Sequence, residues 1–155
     1  MKKFSLPVMA VLMVLFFAVE VFAAESATKE ECIAKSKEAG ALVEKEGLDS
    51  VLKKIQDKDG PFVWKDTYVF AFDMESGVML AHPIKPKLVG RMLKGLKDIN
   101  GKMFFIEYIN VAREKGEGWV DYMWPKPGEK KHSPKSTYVY KVPGENVLMA
   151  AGIYK

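Results

Sequence analysis

Trp119, Tyr122 and Trp124 fall within one alternating run, Gly118-Trp119-Val120-Asp121-Tyr122-Met123-Trp124-Pro125, and Lys135 opens a second, Lys135-Ser136-Thr137-Tyr138-Val139-Tyr140. Aromatic walls with one fixed cation are what a pocket for a small anionic or polar organic molecule requires. Alternation makes each run a strand with unlike faces. Val120, Tyr122 and Trp124 share one side of the first, and Trp119, Asp121 and Met123 the other. In the second, Tyr138 and Tyr140 lie on the side away from Lys135, Thr137 and Lys141. The segment between them, Pro125 to Pro134, is rich in proline and lysine and reads as a mobile polar loop holding a solvated His132. A second reading stands beside the first: the aromatics fill a sheet core and Lys135 is solvated at a strand end.

Other residues can join such a pocket. His82, at a strand terminus between Ala81 and Pro83, can donate to an anion or cap a backbone group. Tyr68 and Tyr138 can supply hydroxyls or be core tyrosines with backbone partners. Asp73 can pair with Lys135, bind an amine, or cap the turn at Glu75-Ser76-Gly77. The sequence offers little to catalysis. It has no Gly-x-Ser-x-Gly elbow, no haem-attachment motif, and two histidines without a second His or Cys at ligand spacing. Asp73-Met74-Glu75-Ser76-Gly77 is faintly like the nucleophile loop of phosphatase-like enzymes. That chemistry needs a parallel strand running into a helix and a second carboxylate, and a hairpin turn accounts for the segment better. No metal, cofactor or catalytic residue is expected.

Length and composition bound the rest. A chain of 155 residues with 48% apolar and 28% charged residues is one globular domain with a core of its own. The net charge of +4 is modest, and basic residues are interleaved with acidic ones, which argues against nucleic acid as a partner. Lys2 and Lys3, an apolar run from Phe4 to Val19, and small residues closing at Ala23 form a secretory signal peptide over residues 1–23. An uncleaved anchor is the competing reading, weakened by Glu20. The predicted domain is 24–155, exported to the periplasm or secreted. Cys32 has no second cysteine to pair with, so the fold must be held by its core.

The elements that position these residues follow from periodicity. Thr28-Lys29-Glu30-Glu31 is a capping box that starts a helix to about Lys45, stopped by Gly47. A short helix carries Val51, Leu52 and Ile55, and Asp57-Lys58-Asp59-Gly60-Pro61 breaks the helical region. The period then changes to two. Strands are expected over 66–73 and 78–82, a short helix at Pro86, a turn at Asn100-Gly101, and a helix on Met103, Phe105, Ile106, Ile109 and Ala112 up to Gly116. The two aromatic strands and a last strand over 147–154 complete the chain. Two hairpins separated by helices predict an α+β fold: a five-stranded antiparallel sheet with the long N-terminal helix packed on one face.

This order, with these words in it, resembles the single Cache domain of the second type, an extracytoplasmic sensor domain with a PAS-like sheet. The resemblance is carried by Tyr68-Val69-Phe70-Ala71-Phe72-Asp73, Leu80-Ala81-His82-Pro83, Leu88-Val89-Gly90 and Asp98-Ile99-Asn100-Gly101-Lys102. It continues through Gly118 to Pro125, Pro134-Lys135, Tyr138-Val139 and Ala151-Gly152-Ile153-Tyr154. It implies non-catalytic capture of a small molecule, often a short carboxylate, between the sheet and its loops. Trp119, Tyr122, Trp124, Lys135, His82, Tyr138, Tyr68 and Asp73 are the ligand-binding candidates. It also implies a membrane receptor, sensor-kinase or transport partner, and a homodimer formed through the N-terminal helix. Such domains more often sit between two membrane helices; with one residue after Tyr154, the sequence looks like a stand-alone version. Two other functions are weighed against this: an interaction protein with a vestigial pocket, and an enzyme acting on a small carboxylate.

Overall fold

A computed structural model describes residues 25–155, so the expected signal peptide lies outside the described residues. Helix α1 (Lys29–Glu46) begins at Thr28, where the capping box forms in full. The Glu31 amide donates to Thr28 Oγ1 at 3.2 Å, and the Thr28 amide donates to Glu31 Oε2 at 2.9 Å. Two of the four orphan amides of the first turn are thereby satisfied. Gly47, at φ +81°, turns the chain directly into α2 (Leu48–Gln56). A side chain would be strained in that left-handed conformation, and glycine is not.

The sheet has six strands: β1 (Val63–Trp64), β2 (Thr67–Asp73), β3 (Met79–Ala81), β4 (Glu117–Pro125), β5 (His132–Lys141) and β6 (Val147–Tyr154). All ladders between them are antiparallel, in the order β1-β2-β6-β5-β4, with β3 on β2. The expected count of five lacked β1, a two-residue pair too short to leave a periodic signal. The segment expected as a loop from Pro125 to Pro134 is also shorter. His132, Ser133 and Pro134 pair with Pro125, Trp124 and Met123, which leaves residues 126–131 as the connection. The helix expected at Pro86 is a single 3-10 turn, Pro86–Leu88.

Strand β6 arrives last and is inserted between the two hairpins, so both of its edges are paired. Its side chains alternate between two cores. Met149 and Ala151 face one with Cys32, Ala39, Val43, Val51 and Ile55 of α1 and α2; Leu148 and Ala150 face the other with Phe104, Phe105, Tyr108, Ile109 and Ala112 of α3 (Phe104–Lys115). Strand β2 divides in the same way, Tyr68, Phe70 and Phe72 against Val69 and Ala71. The long helix therefore covers one face as expected, and α3 covers the second.

Candidate ligand-binding site

The sheet register gathers the candidate residues at one end of the α3 face. Tyr122 pairs with Lys135, and Lys135 pairs with Tyr154 on its other side. Directly opposed residues project to the same face, so these three side chains stand in a row across β4, β5 and β6. Thr137 and Gly152 form the neighbouring rung, beside Tyr68 of β2. A methyl group at Gly152 would fall on Thr137 Oγ1 and within 2.9 Å of Lys135 Cε. The missing side chain at Gly152 is what lets the lysine lie across the sheet.

Lys135 is 1% exposed. Its ammonium sits 4.4 Å from the Tyr68 ring centroid and 4.7 Å from that of Tyr154, and donates to Tyr68 Oη at 3.4 Å. No carboxylate pairs with it among the described residues. Ring faces recover part of the lost hydration of the cation, and the remaining penalty disfavours the charged form. Burial accordingly brings Lys135 down to about 7, with Cys32 and Asp66 pulling weakly the other way and Lys85 adding to the fall.

His82 lies against the same tyrosine. Its ring is 4.7 Å from Tyr68 and 5.8 Å from Phe70, nearly parallel to the latter at 18°. Nδ1 accepts the Lys85 amide at 3.0 Å, which fixes the proton of the neutral ring on Nε2. Burial first, then the Lys135 and Lys85 charges, push the imidazole down to about 3, so it stays neutral at ordinary pH. Tyr122 Oη is 3.1 Å from Thr137 Oγ1, and the Tyr122 ring stacks on Phe104 at 4.2 Å and 13°. Trp124 closes the side beyond Phe104, with the Lys85 ammonium 4.8 Å from its ring. Tyr68, His82, Tyr122, Phe104 and Trp124, with Phe70 and Met79, enclose a slot with about 10 Å³ of free space, room for one water molecule. Outside it, Lys135 and Tyr122 also border a cleft of about 240 Å³ between Asp98–Lys102 and Asp121–Met123.

Asp98 holds that cleft's loop. Its carboxylate accepts the amides of Asn100, Lys102 and Met123 at 2.9–3.0 Å, which keeps the acid below its usual range against the opposing effect of burial.

Five of the eight sequence candidates thus converge: Lys135, Tyr68, His82, Tyr122 and Trp124. Three do not. Trp119 and Tyr138 pack on each other at 5.4 Å on the α1 face, with Lys29 over the Trp119 ring, because they sit one residue out of phase with Tyr122 and Lys135. Asp73 is at the far end of β2, opposite Val147. Its Oδ1 accepts the Ser76 amide and hydroxyl at 2.6 Å each, so it caps the turn and does not meet Lys135. A cavity of about 560 Å³ lies at that end too, an open polar groove lined by Asp73, Lys141 and Asn146. His132, expected in a loop, is in β5 opposite Pro125. Among the described residues no group of His, Cys, Asp or Glu is placed to hold a metal ion.

Phe104, Tyr154 and Thr137 were not among the sequence candidates. Phe104 had a readable signal, since 104, 105, 108, 109 and 112 form the buried stripe of α3 and Met103 is exposed. Thr137 shares the face of Lys135 two residues along β5, and Tyr154 reaches the site only through the insertion of β6.

The sequence matches the model of the Cache domain family over residues 29–155, nearly all that is described. The chain belongs to the Cache domain family. It is similar to the methyl-accepting chemotaxis protein McpP of Pseudomonas putida, 33% identical over 76 residues, which span 49% of this chain and 14% of that receptor. Solved structures agree on the fold of this Cache domain. A Cache chemosensory domain solved as a basis for carboxylic acid recognition is 28% identical with a TM-score of 0.68, covering 81% of this chain and 91% of that one. A methyl-accepting chemotaxis protein from Vibrio parahaemolyticus is 25% identical with a TM-score of 0.68, covering 81% and 87%. A periplasmic sensor domain of a chemotaxis protein is 27% identical with a TM-score of 0.65, covering 81% and 88%.

Proposed function

We propose that this Cache domain is a non-catalytic sensor that captures a short carboxylate on the outer side of a membrane, and that its occupancy is read by a membrane partner. The observation that carries the reading is Lys135, a fully buried ammonium with no acidic partner among the described residues. A buried cation left unpaired is costly, and an anion of one negative charge offsets that cost in a water-poor setting. His82, Tyr68 and Tyr122 line the slot and carry the N–H and O–H donors such an anion would take, and Phe104 and Trp124 supply apolar walls for a short carbon chain. A slot sized for one water admits a carboxylate only when the Phe104–Trp124 wall moves outward. Phe104 is the first residue of α3, close in sequence to the Asp98–Lys102 loop on the outer cleft, and Trp124 is near the end of β4. The sensor role and the outward location are supported by the relatives, a periplasmic sensor domain and chemotaxis receptors among them. Among the described residues no helix is long and apolar enough to cross a membrane, so the reading assigns signalling to a separate membrane segment or chain.

Thermal-shift measurements with acetate, propionate and pyruvate, beside amines and neutral amides of the same size, test this. A ligand present at a hundred times its dissociation constant stabilises by about 2.7 kcal/mol, several degrees for a domain of this size. The expected result is a rise for the carboxylates alone. A rise with amines instead, or with nothing in the panel, refutes the anion site.

A further inference from the structure

Strand β3 is short and ends at Ala81, just before His82, and its two edges are satisfied differently. One edge pairs with β2 through Ala81 and Met79. Beyond Ala81 the edge facing α2 meets no strand. There the side chain of Gln56, the last residue of α2, takes the place of one: its Oε1 accepts the His82 amide at 3.0 Å, and its Nε2 donates to the His82 carbonyl at 3.2 Å. A carboxamide carries the same donor and acceptor pair as a peptide unit, so it can close both backbone groups of one residue at once. Gln56 is itself held in place, because the preceding residue Ile55 is completely buried under α2.

His82 is then fixed at three points. Gln56 holds its amide and carbonyl, and the Lys85 amide holds Nδ1. Only Nε2–H is left, and the ring that bears it lines the slot against Tyr68, the tyrosine whose hydroxyl accepts from Lys135. We propose that Gln56 is a positioning residue of the ligand site: its carboxamide grips the backbone of His82 so that the imidazole presents Nε2–H to the bound anion, and this grip ties the site to α2. The inference rests on the carboxylate reading for its ligand, but the grip on His82 can be measured without one. A fixed donor loses little freedom when the anion arrives, which is where such a shell of supporting bonds has its effect.

The test uses Gln56→Met, which keeps the helix and its apolar packing, and Gln56→Glu, which keeps the acceptor but turns a carboxylate oxygen on the His82 carbonyl. The His82 ring nitrogens are followed by NMR without added ligand, and propionate affinity is measured by calorimetry in wild type, Gln56→Met, His82→Ala and the double variant. Wild type is expected to show a single Nε2–H tautomer. Both Gln56 variants should keep the Nε2–H tautomer that the Lys85 amide sets but show shifted and broadened His82 ring signals as the ring loses its fixed position, with the rest of the amide spectrum preserved. Propionate affinity should fall roughly tenfold in Gln56→Met, the scale of one lost fixed donor. In the His82→Ala background the same change should cost nothing, since Gln56 acts through the imidazole. Unchanged ring signals in the two Gln56 variants overturn the proposal, as does an equal loss of affinity with and without His82. If wild type binds no propionate, the carboxylate reading fails by itself and the ring signals alone decide the role of Gln56.

Discussion

The two faces of the sheet are built from the same strands and do opposite things. The face under α1 and α2 is lined by Ala39, Ala71, Ala81 and Ala151 with Val43, Val51 and Ile55, small and branched side chains that bring helix and sheet close together. Its aromatic pair, Trp119 and Tyr138, closes a margin of that packing. The face under α3 holds stacked rings, a buried ammonium and a slot the size of a water molecule. One face is closed for stability, while the other keeps an uncompensated charge, a feature that native domains retain at functional sites. On the proposed reading, residue parity separates the two roles and lets one set of strands serve both.

Removing the charge should break the contrast most strongly. Lys135→Met is expected to lower carboxylate affinity roughly a hundredfold or more, the usual scale for losing one partner of a buried ionic contact. The same change should raise stability by about 1–4 kcal/mol, because an apolar chain of equal length no longer carries a desolvated cation. Chemical denaturation at neutral pH checks the second half. The pH dependence gives a signature. The lysine is near 10.5 when unfolded and brought down to about 7 by burial when folded. Between those values the unfolded chain binds more protons, so wild-type stability should rise with pH through that window and Lys135→Met should not share the rise. His82, held down by burial, acts with the same sign at acid pH, where stability falls as pH drops below about 6.5. Carboxylate affinity should run the other way, nearly flat below pH 7 and falling about tenfold per unit above it, because the anion needs the lysine charged. Calorimetry in buffers of different ionisation enthalpy would show the proton taken up. A flat affinity profile from pH 6 to 9 would mean that Lys135 does not contact the ligand.

A matched pair of substitutions sharpens the comparison, since Gly152 and Ala151 are neighbours in β6 that face opposite ways. Gly152→Ala pushes a methyl group into Thr137 and the Lys135 chain. Ala151→Leu overfills the packing under α1. Each should destabilise by about 1–3 kcal/mol, the usual cost of forcing carbon into a filled interior. Only Gly152→Ala should also weaken carboxylate binding. If both variants bind equally well, the α3 face is not where the ligand sits.

How much of this was legible in sequence depends on the range over which each signal acts. Thr28-Lys29-Glu30-Glu31 started α1 as read, and alternation located five strands, because both are decided within a few residues. The same alternation already put Trp119 opposite Tyr122 and Trp124, and Tyr138 opposite Lys135, so they could not all face one pocket. Which parity carries the pocket is set by the insertion of β6 between β2 and β5, which brings Gly152 and Tyr154 beside Lys135. Nothing local to Lys135 announces that rung. The contact of Gln56 with His82 spans 26 residues and depends on α2 ending where β3 ends, a coincidence only the fold supplies.

The smallest effect tests that parity argument directly. Trp119 looks in sequence like part of the aromatic wall, and in the structure it lies half-buried on the α1 face under Lys29 at 5.2 Å. Trp119→Leu should cost about 1 kcal/mol in lost aromatic and cation contacts at a partly exposed position. It should leave carboxylate affinity and the pH profile of binding unchanged, while Trp124→Leu, five residues along the same strand and on its other face, weakens binding. Tm and calorimetry on the two variants side by side separate a residue that closes a core from one that closes a slot. Loss of affinity in Trp119→Leu equal to that in Trp124→Leu would show that the ligand reaches both faces and that the division between them is wrong.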